Sequence, residues 1–463
     1  MFTNHWHAAQ WRRKAEVAAL MTTAVAAFGI LLPIAARAQT ETVLYSFTYP
    51  IFTPAVGCPP GTSNANPHAG LLFYSGHLFG TTPEGGDGAK AGTKPVPDSK
   101  DGMVFRLTKP ASGGTPWNKD ILHSFQPEPN TEPPVDDGTY PCSRLIDNDG
   151  VLIGTTMKGG NGFGTIFSLT PPITGETAWT ETQLYSFMES SDGGEPYDGL
   201  VMGSNGALYG VTRLGREAIN ASAVFQFLDG QITQIAISSD CTYSTNPPCV
   251  YNGDLLIDNS TGSLFGTTQN GGVYGYGNVF ELTPSGGTWN YADLYDFTGG
   301  SDGATPNGGL VGGPGPVGLL GTTQGGGGSG YCSSCGVLFE LRQEIAGNPY
   351  TLIVQHAFAG EISNDGAVPF AGLYKDSAGT LWGTTEYGGE FLLRSDLNFG
   401  TIFKLSPSSV VGEWDYALVY RFGGEPDGAN PQGLLTEDKK GNLYGTTNAG
   451  GSANEGTVFE LTP

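Results

Sequence analysis

A chain of 463 residues with 73 glycines, 31 prolines and 11% aromatic residues holds too many aromatic side chains for a disordered low-complexity segment, so its glycine must serve turns in a packed fold. Length alone would allow several domains, but all-β barrels and propellers routinely exceed the average domain as single units. The formal charge of −23 excludes nucleic acid and anionic lipid as partners, because both are repelled by so acidic a surface.

Arg12, Arg13 and Lys14 precede an uncharged stretch from Val17 to Ala36, which ends in Ala36-Arg37-Ala38. A basic start, an apolar middle and a small-residue cleavage site make residues 1–38 a signal peptide and Gln39 the expected first residue of the mature chain. An uncleaved anchor is the alternative, since about 20 apolar residues can cross a bilayer. Pro33 and the Ala-x-Ala ending favour cleavage, after which no membrane span is expected.

The segment Val43-Leu44-Tyr45-Ser46-Phe47 reads as a lone strand. Beyond it, the stretches from Pro50 to Asn66 and from Gly88 to Lys100 lengthen the first repeat unit alone and are rich in turn residues. From there a core of Leu-x-Gly-Thr-Thr recurs, with glycine at Gly80, Gly154, Gly210, Gly266, Gly321, Gly383 and Gly445. The period is about 60 residues, and Val211 replaces the first threonine in the third copy. Each unit holds four short runs of β-branched, aromatic and leucine residues between Gly, Pro and Asp breakers. Asp147 to Gly150, Asp258 to Gly262, Asp376 to Gly379 and Asp438 to Gly441 separate the first two runs, which suits a type I turn closed by a left-handed glycine.

Repetition of four-stranded antiparallel sheets at this period predicts an all-β, seven-bladed β-propeller as one domain over 39–463. The fourth-strand pattern recurs near Leu122, Leu184, Ile235, Leu294, Gln355 and Val419, one copy short unless the strand at Val43 completes the last blade. The N-terminal strand is therefore expected to close the ring by pairing in the C-terminal blade, which removes a free sheet edge.

Leu443-Tyr444-Gly445-Thr446-Thr447, Gly450-Gly451 and Gly456-Thr457-Val458-Phe459-Glu460-Leu461-Thr462-Pro463 resemble the repeat of the GloVer-type tandem-repeat proteins, exported bacterial proteins whose anchoring segments vary. The similarity covers nearly all of residues 40–463. It implies a surface or secreted propeller without an established activity. The chain ends at Pro463 with no sorting tail, so a secreted or periplasmic home is expected over covalent surface attachment.

Six cysteines in an oxidising compartment read first as disulfides. Cys241 with Cys249, and Cys332 with Cys335, are close enough to staple single loops, which leaves Cys58 for Cys142. A zinc site on Cys332 and Cys335 would need two more ligands, and no second pair has metal spacing.

Polar residues shared between copies are architectural candidates. The threonine pairs belong to this class, and so does Asp-Gly-x-x-Pro at Asp137, Asp192, Asp302, Asp365 and Asp427. Those five aspartates could form Asx-turns, or could ring the channel mouth as weak calcium ligands, calcium being the one cofactor the pattern admits. Residues that break the repeat just before the first strand are the candidates for ligand contact: His68, Cys142 with Ser143, Tyr197 with Asp198, Asn307, Phe370 and Gln432. No nucleophile elbow, metalloprotease pair or phosphate loop is present, so catalytic residues are not assigned. The expected function is a monomeric, non-catalytic scaffold that binds protein or glycan. The alternatives are a carbohydrate-active hydrolase or lyase using carboxylates such as Asp198, and a purely structural envelope protein.

Overall fold

Each Leu-x-Gly-Thr-Thr core forms the second strand of a sheet, and its glycine lies under a phenylalanine from the third strand. A Cβ built on Gly266 would stand 2.5 Å from the ring of Phe280, and Gly80, Gly154, Gly210, Gly321, Gly383 and Gly445 are covered in the same way. The computed structural model describes residues 39–48, 67, 69–84, 101–126, 136–173, 177–188, 192–215, 222–237, 251–313, 318–329, 332–343, 348–360, 364–389, 398–410 and 413–462. Residues 1–38, the expected leader, lie outside them. One compact unit runs from Glu41 to Thr462.

Seven antiparallel sheets of four main strands, numbered here as blades one to seven by their core glycines, form a seven-bladed β-propeller. In blade two the order is Ile146–Asn148, Val151–Thr156, Thr165–Thr170 and Thr180–Ser186. Blade seven takes its outer strand, Thr40–Ser46, from the start of the chain, where it pairs with Thr457–Thr462. The ring therefore closes as expected.

Neighbouring blades are joined by aromatic rings. At six of the seven junctions, all but that between blades three and four, the phenylalanine after the outer strand meets, edge to face, the third-strand phenylalanine of the next blade. Phe125–Phe167, Phe187–Phe225, Phe297–Phe339, Phe358–Phe403, Phe422–Phe459 and, across the closure, Phe47–Phe105 have centroids 5.1–5.4 Å apart. Aromatic pairs in this geometry contribute about 0.5–1.5 kcal/mol each beyond their buried area.

The threonine pairs are architectural. The first reaches the next blade, as Thr81 Oγ1 donates to Ser143 O at 3.0 Å, Thr322 to Ala371 O at 3.3 Å and Thr446 to Ala69 O at 3.1 Å. The second caps its own turn, as Thr156 donates to Lys158 O at 2.9 Å. Blades four, six and seven have the expected first hairpin, ending at Gly262, Gly379 and Gly441 with φ of 78°, 84° and 86°. Blade two differs from the expectation: Asn148 pairs directly with Val151, and Asp149 and Gly150 both have positive φ, which makes a two-residue type I′ turn.

Candidate functional site

The residue just before the first-strand leucine occupies one register position in every blade. It reads Gly70, Arg144, Gly199, Asp254, Gly309, Gly372 and Leu434. All seven line one cavity of about 380 Å³ on the inner strands. Glycine lets the inner backbones approach there, and a Cβ on Gly372 would lie 2.8 Å from the amide nitrogen of Gly309. Arg144 and Asp254 are the two charged residues at this position, and they pair with each other. Arg144 Nη2 stands 3.2 Å from Asp254 Oδ2, joining blade two to blade four past blade three.

Asp254 also accepts the Gly199 N–H at 2.7 Å, while Asp198 accepts the Gly253 N–H at 2.9 Å. The two carboxyl groups thus bind each other's strand. Burial pushes the Asp198 carboxyl well above the ordinary range, the charge of Asp254 pushes it further, and the Gly253 N–H offsets part of this. The Tyr197 hydroxyl is likewise pushed up, by burial first and then by Asp198.

Tyr197, Asp198, Asn307, Phe370 and Gln432, candidates from the sequence, all line this cavity, as does Cys142. Asn307 Nδ2 donates to Phe370 O at 3.5 Å, and Gln432 Nε2 donates to Glu386 Oε1 at 3.0 Å. Burial raises the Glu386 carboxyl, against bonds from Tyr387 and Gln432. His68 lies outside the described residues. Arg144 and Asp254 are less legible in the sequence because they stand directly before the leucine, apart from the repeat-breaking positions nearer the proline. Aligning the residue before each first-strand leucine would have exposed them as two charges among four glycines.

The five Asp-Gly-x-x-Pro aspartates do not line this cavity, and their bonds are not the downstream ones of Asx-turns. Each accepts a backbone N–H from upstream in the chain and a ring group from the outer strand of the preceding blade. Asp137 takes Gln126 N at 3.0 Å and His123 Nε2 at 3.0 Å. Asp302 takes Thr298 N at 2.8 Å and Tyr295 Oη at 3.1 Å. Asp427 takes Gly423 N at 2.8 Å and Tyr420 Oη at 2.9 Å. Asp192 holds Met188 N and Tyr185 in the same manner, and Asp365 holds Ala359 N and His356. The proline of the motif packs on the glycine that opens the third strand of the preceding blade: Pro141 on Gly102, Pro196 on Gly164, Pro306 on Gly277, Pro369 on Gly336 and Pro431 on Gly400. These residues lock one blade to the next. Among the described residues no group of three His, Cys, Asp or Glu side chains is placed to hold a metal.

Cys332 and Cys335 form a disulfide, which removes them as zinc ligands. Cys142 is disulfide-bonded to a residue outside the described ones. Cys58, Cys241 and Cys249 lie outside them too.

Fold and cavity together define a seven-bladed propeller with a ligand-sized space between its inner strands. The chain belongs to the Gloeobacter/Verrucomicrobia repeat family, whose profile matches residues 29–249 and 242–459. No curated protein matches it by sequence. Among solved structures, it is similar to the polysaccharide lyase Uly1 (TM-score 0.46, 11% identity, 89% of this chain and 93% of that one). It is also similar to a PL25 ulvan lyase (TM-score 0.43, 10% identity, 86% and 93%). A sialidase from Trypanosoma rangeli gives a TM-score of 0.37 at 9% identity, with 86% of this chain matched to 55% of the sialidase, so the chain spans about half of that protein. Likeness at these levels carries no argument about activity.

Proposed function

We propose that this protein is an exported binding propeller that holds a saccharide unit in its inner-strand cavity. The observation that carries the reading is the convergence of Tyr197, Asp198, Asn307, Phe370 and Gln432, from four blades, on one space. These repeat-breaking residues bring an aromatic ring, amides and a carboxyl group to the cavity lining, although Asp198, Asn307 and Gln432 also bond neighbouring blades. A cavity of about 380 Å³ is within the range of small-ligand sites and too small for a folded partner. Export is the reading that the basic and then apolar sequence of residues 1–38 supports, and it would put the site in contact with extracellular or periplasmic glycans.

The test is calorimetric titration of residues 39–463 with a panel of oligosaccharides, repeated on Phe370→Ala and on Asn307→Ala with Gln432→Ala. The reading expects binding that the variants weaken by about tenfold or more at a temperature where they remain folded. It is overturned if no glycan binds, or if the variants bind as the parent does.

A hydrolase or lyase is the second reading. It is favoured by the shared cavity of Asp198 and Asp254, a neighbouring pair in which one carboxyl group is pushed toward its protonated form. It requires product release from a bound oligosaccharide that Asp198→Asn abolishes.

A further inference from the structure

The Arg144 guanidinium is only partly satisfied. It offers five N–H donors in a planar fork, yet among the described residues its one ion pair is the 3.2 Å contact to Asp254. Among the described residues its Nε is buried with no hydrogen-bond partner, a condition that costs free energy. Its stem passes blade one, where a Cβ on Gly70 would lie 3.1 Å from Arg144 Cδ, and 27% of its side chain remains open.

Further cations lie on blades two and three. Lys158 and Arg213 both bond the carboxylate of Glu195, whose side chain is 12% exposed. Arg213 is close enough for its charge to act on the cavity residue Tyr197. Lys158 and Arg213 are thus engaged by Glu195, and Arg144 by Asp254, in a molecule whose overall charge is −23. The carboxyl group of Asp198 is biased toward its protonated form by burial and by Asp254, so it opposes an incoming anion less than its residue type suggests and can donate a hydrogen bond.

Resting on the saccharide-binding reading, we infer that Arg144 anchors an acidic sugar, the carboxylate of a uronate unit taking the guanidinium edge that Asp254 leaves open. Arginine is suited to this task because its fork matches a carboxylate with two parallel bonds. Asp254 and the Gly199 N–H keep the guanidinium in place before the ligand arrives. Phe370 and Tyr197 supply apolar surface for the sugar ring, and Asn307 and Gln432 supply amides for its hydroxyls.

The experiment compares oligomers of glucuronate, galacturonate, mannuronate and guluronate with their methyl esters, which keep the ring and lose the charge. Calorimetric titration of residues 39–463 at low salt is expected to show at least one free acid bound about tenfold more tightly than its ester, with the preference shrinking in high salt. Arg144→Gln should equalise acid and ester, and Arg144→Lys should keep part of the preference. The lysine variant decides the matter if the glutamine variant does not fold. Esters bound as tightly as acids, or an unchanged preference in a folded Arg144 variant, overturn the inference and leave the saccharide reading standing. If neither acid nor ester of any sugar binds and neutral oligosaccharides do, the inference alone falls. If nothing binds at all, both fall.

Discussion

Tyr416 in blade six lies flat on His356 in blade five, with ring centroids 3.6 Å apart and planes 8° from parallel, and both side chains bond Asp365. That carboxylate accepts His356 Nε2 at 2.8 Å, Tyr416 Oη at 2.6 Å, Ala359 N at 3.0 Å and Gly366 N at 2.8 Å. Burial alone would raise its pKa, but the bonds from His356 and Tyr416 outweigh this and hold it below the ordinary range. Asp365→Ala strands several donors at once and is expected to cost about 2–4 kcal/mol in urea denaturation. Asp302→Ala, at a more open site where the carboxylate accepts three bonds, from Thr298 N, Thr298 Oγ1 and Tyr295 Oη, should cost less. Equal losses would show that burial and the fourth bond add nothing.

Glu41 and Glu181 occupy the same place in their outer strands, four residues before Tyr45 and Tyr185, and each faces the aspartate clamp of the preceding blade. Burial first raises Glu41 to about 8, with the charge of Asp427 adding to it, and burial raises Glu181 to about 7. Both values lie above that of the unfolded chain, so the folded state holds these protons more tightly. Their contribution to stability is intact at pH near 4 and is lost as pH rises toward 7 for Glu181 and 8 for Glu41. Glu41→Gln should therefore flatten the fall in denaturation midpoint between pH 5 and pH 8. A parent and variant with parallel pH profiles would refute this.

Gly266→Ala would place a methyl group 2.5 Å from the edge of Phe280, with Leu255 3.0 Å away on the other side. Overpacking of this kind costs about 1–3 kcal/mol, and the melting temperature of the variant should fall accordingly. An unchanged melting temperature would mean that the phenylalanine can move aside.

The residue before the motif proline is left-handed in five loops, at Tyr140, Glu195, Thr305, Val368 and Asn430, with φ between 52° and 57°. Its N–H bonds the preceding blade, as Thr305 N does to Tyr276 O at 2.8 Å. Asparagine adopts this conformation at less cost than a β-branched residue does. Thr305→Asn, which installs the residue found at position 430, is expected to gain about 0.5–1 kcal/mol in thermal or urea unfolding. A loss would indicate that the threonine side chain has a packing role.

The repeat betrayed the fold because glycine under phenylalanine, threonine at the strand end and a missing outer strand each answer a packing demand that every blade makes. The five cavity residues from the sequence were visible for the opposite reason, as departures from that pattern. The aspartate of Asp-Gly-x-x-Pro was misread because its partners, such as His123 for Asp137 and Tyr420 for Asp427, lie upstream on an outer strand. An Asx-turn would look only downstream. The pairing of Arg144 with Asp254 spans 110 positions in the chain, and only the closed ring brings them together.

Closure by the Thr40–Ser46 strand also imposes an order of events on the chain. The first strand to be made must wait for Thr457–Thr462, the last, before it has a partner in its sheet. Until then Leu44 and Phe47, both nearly inaccessible in the finished ring, have no blade to cover them. Pairing across so long a stretch of chain is slow, and a strand exposed while it waits is open to wrong partners.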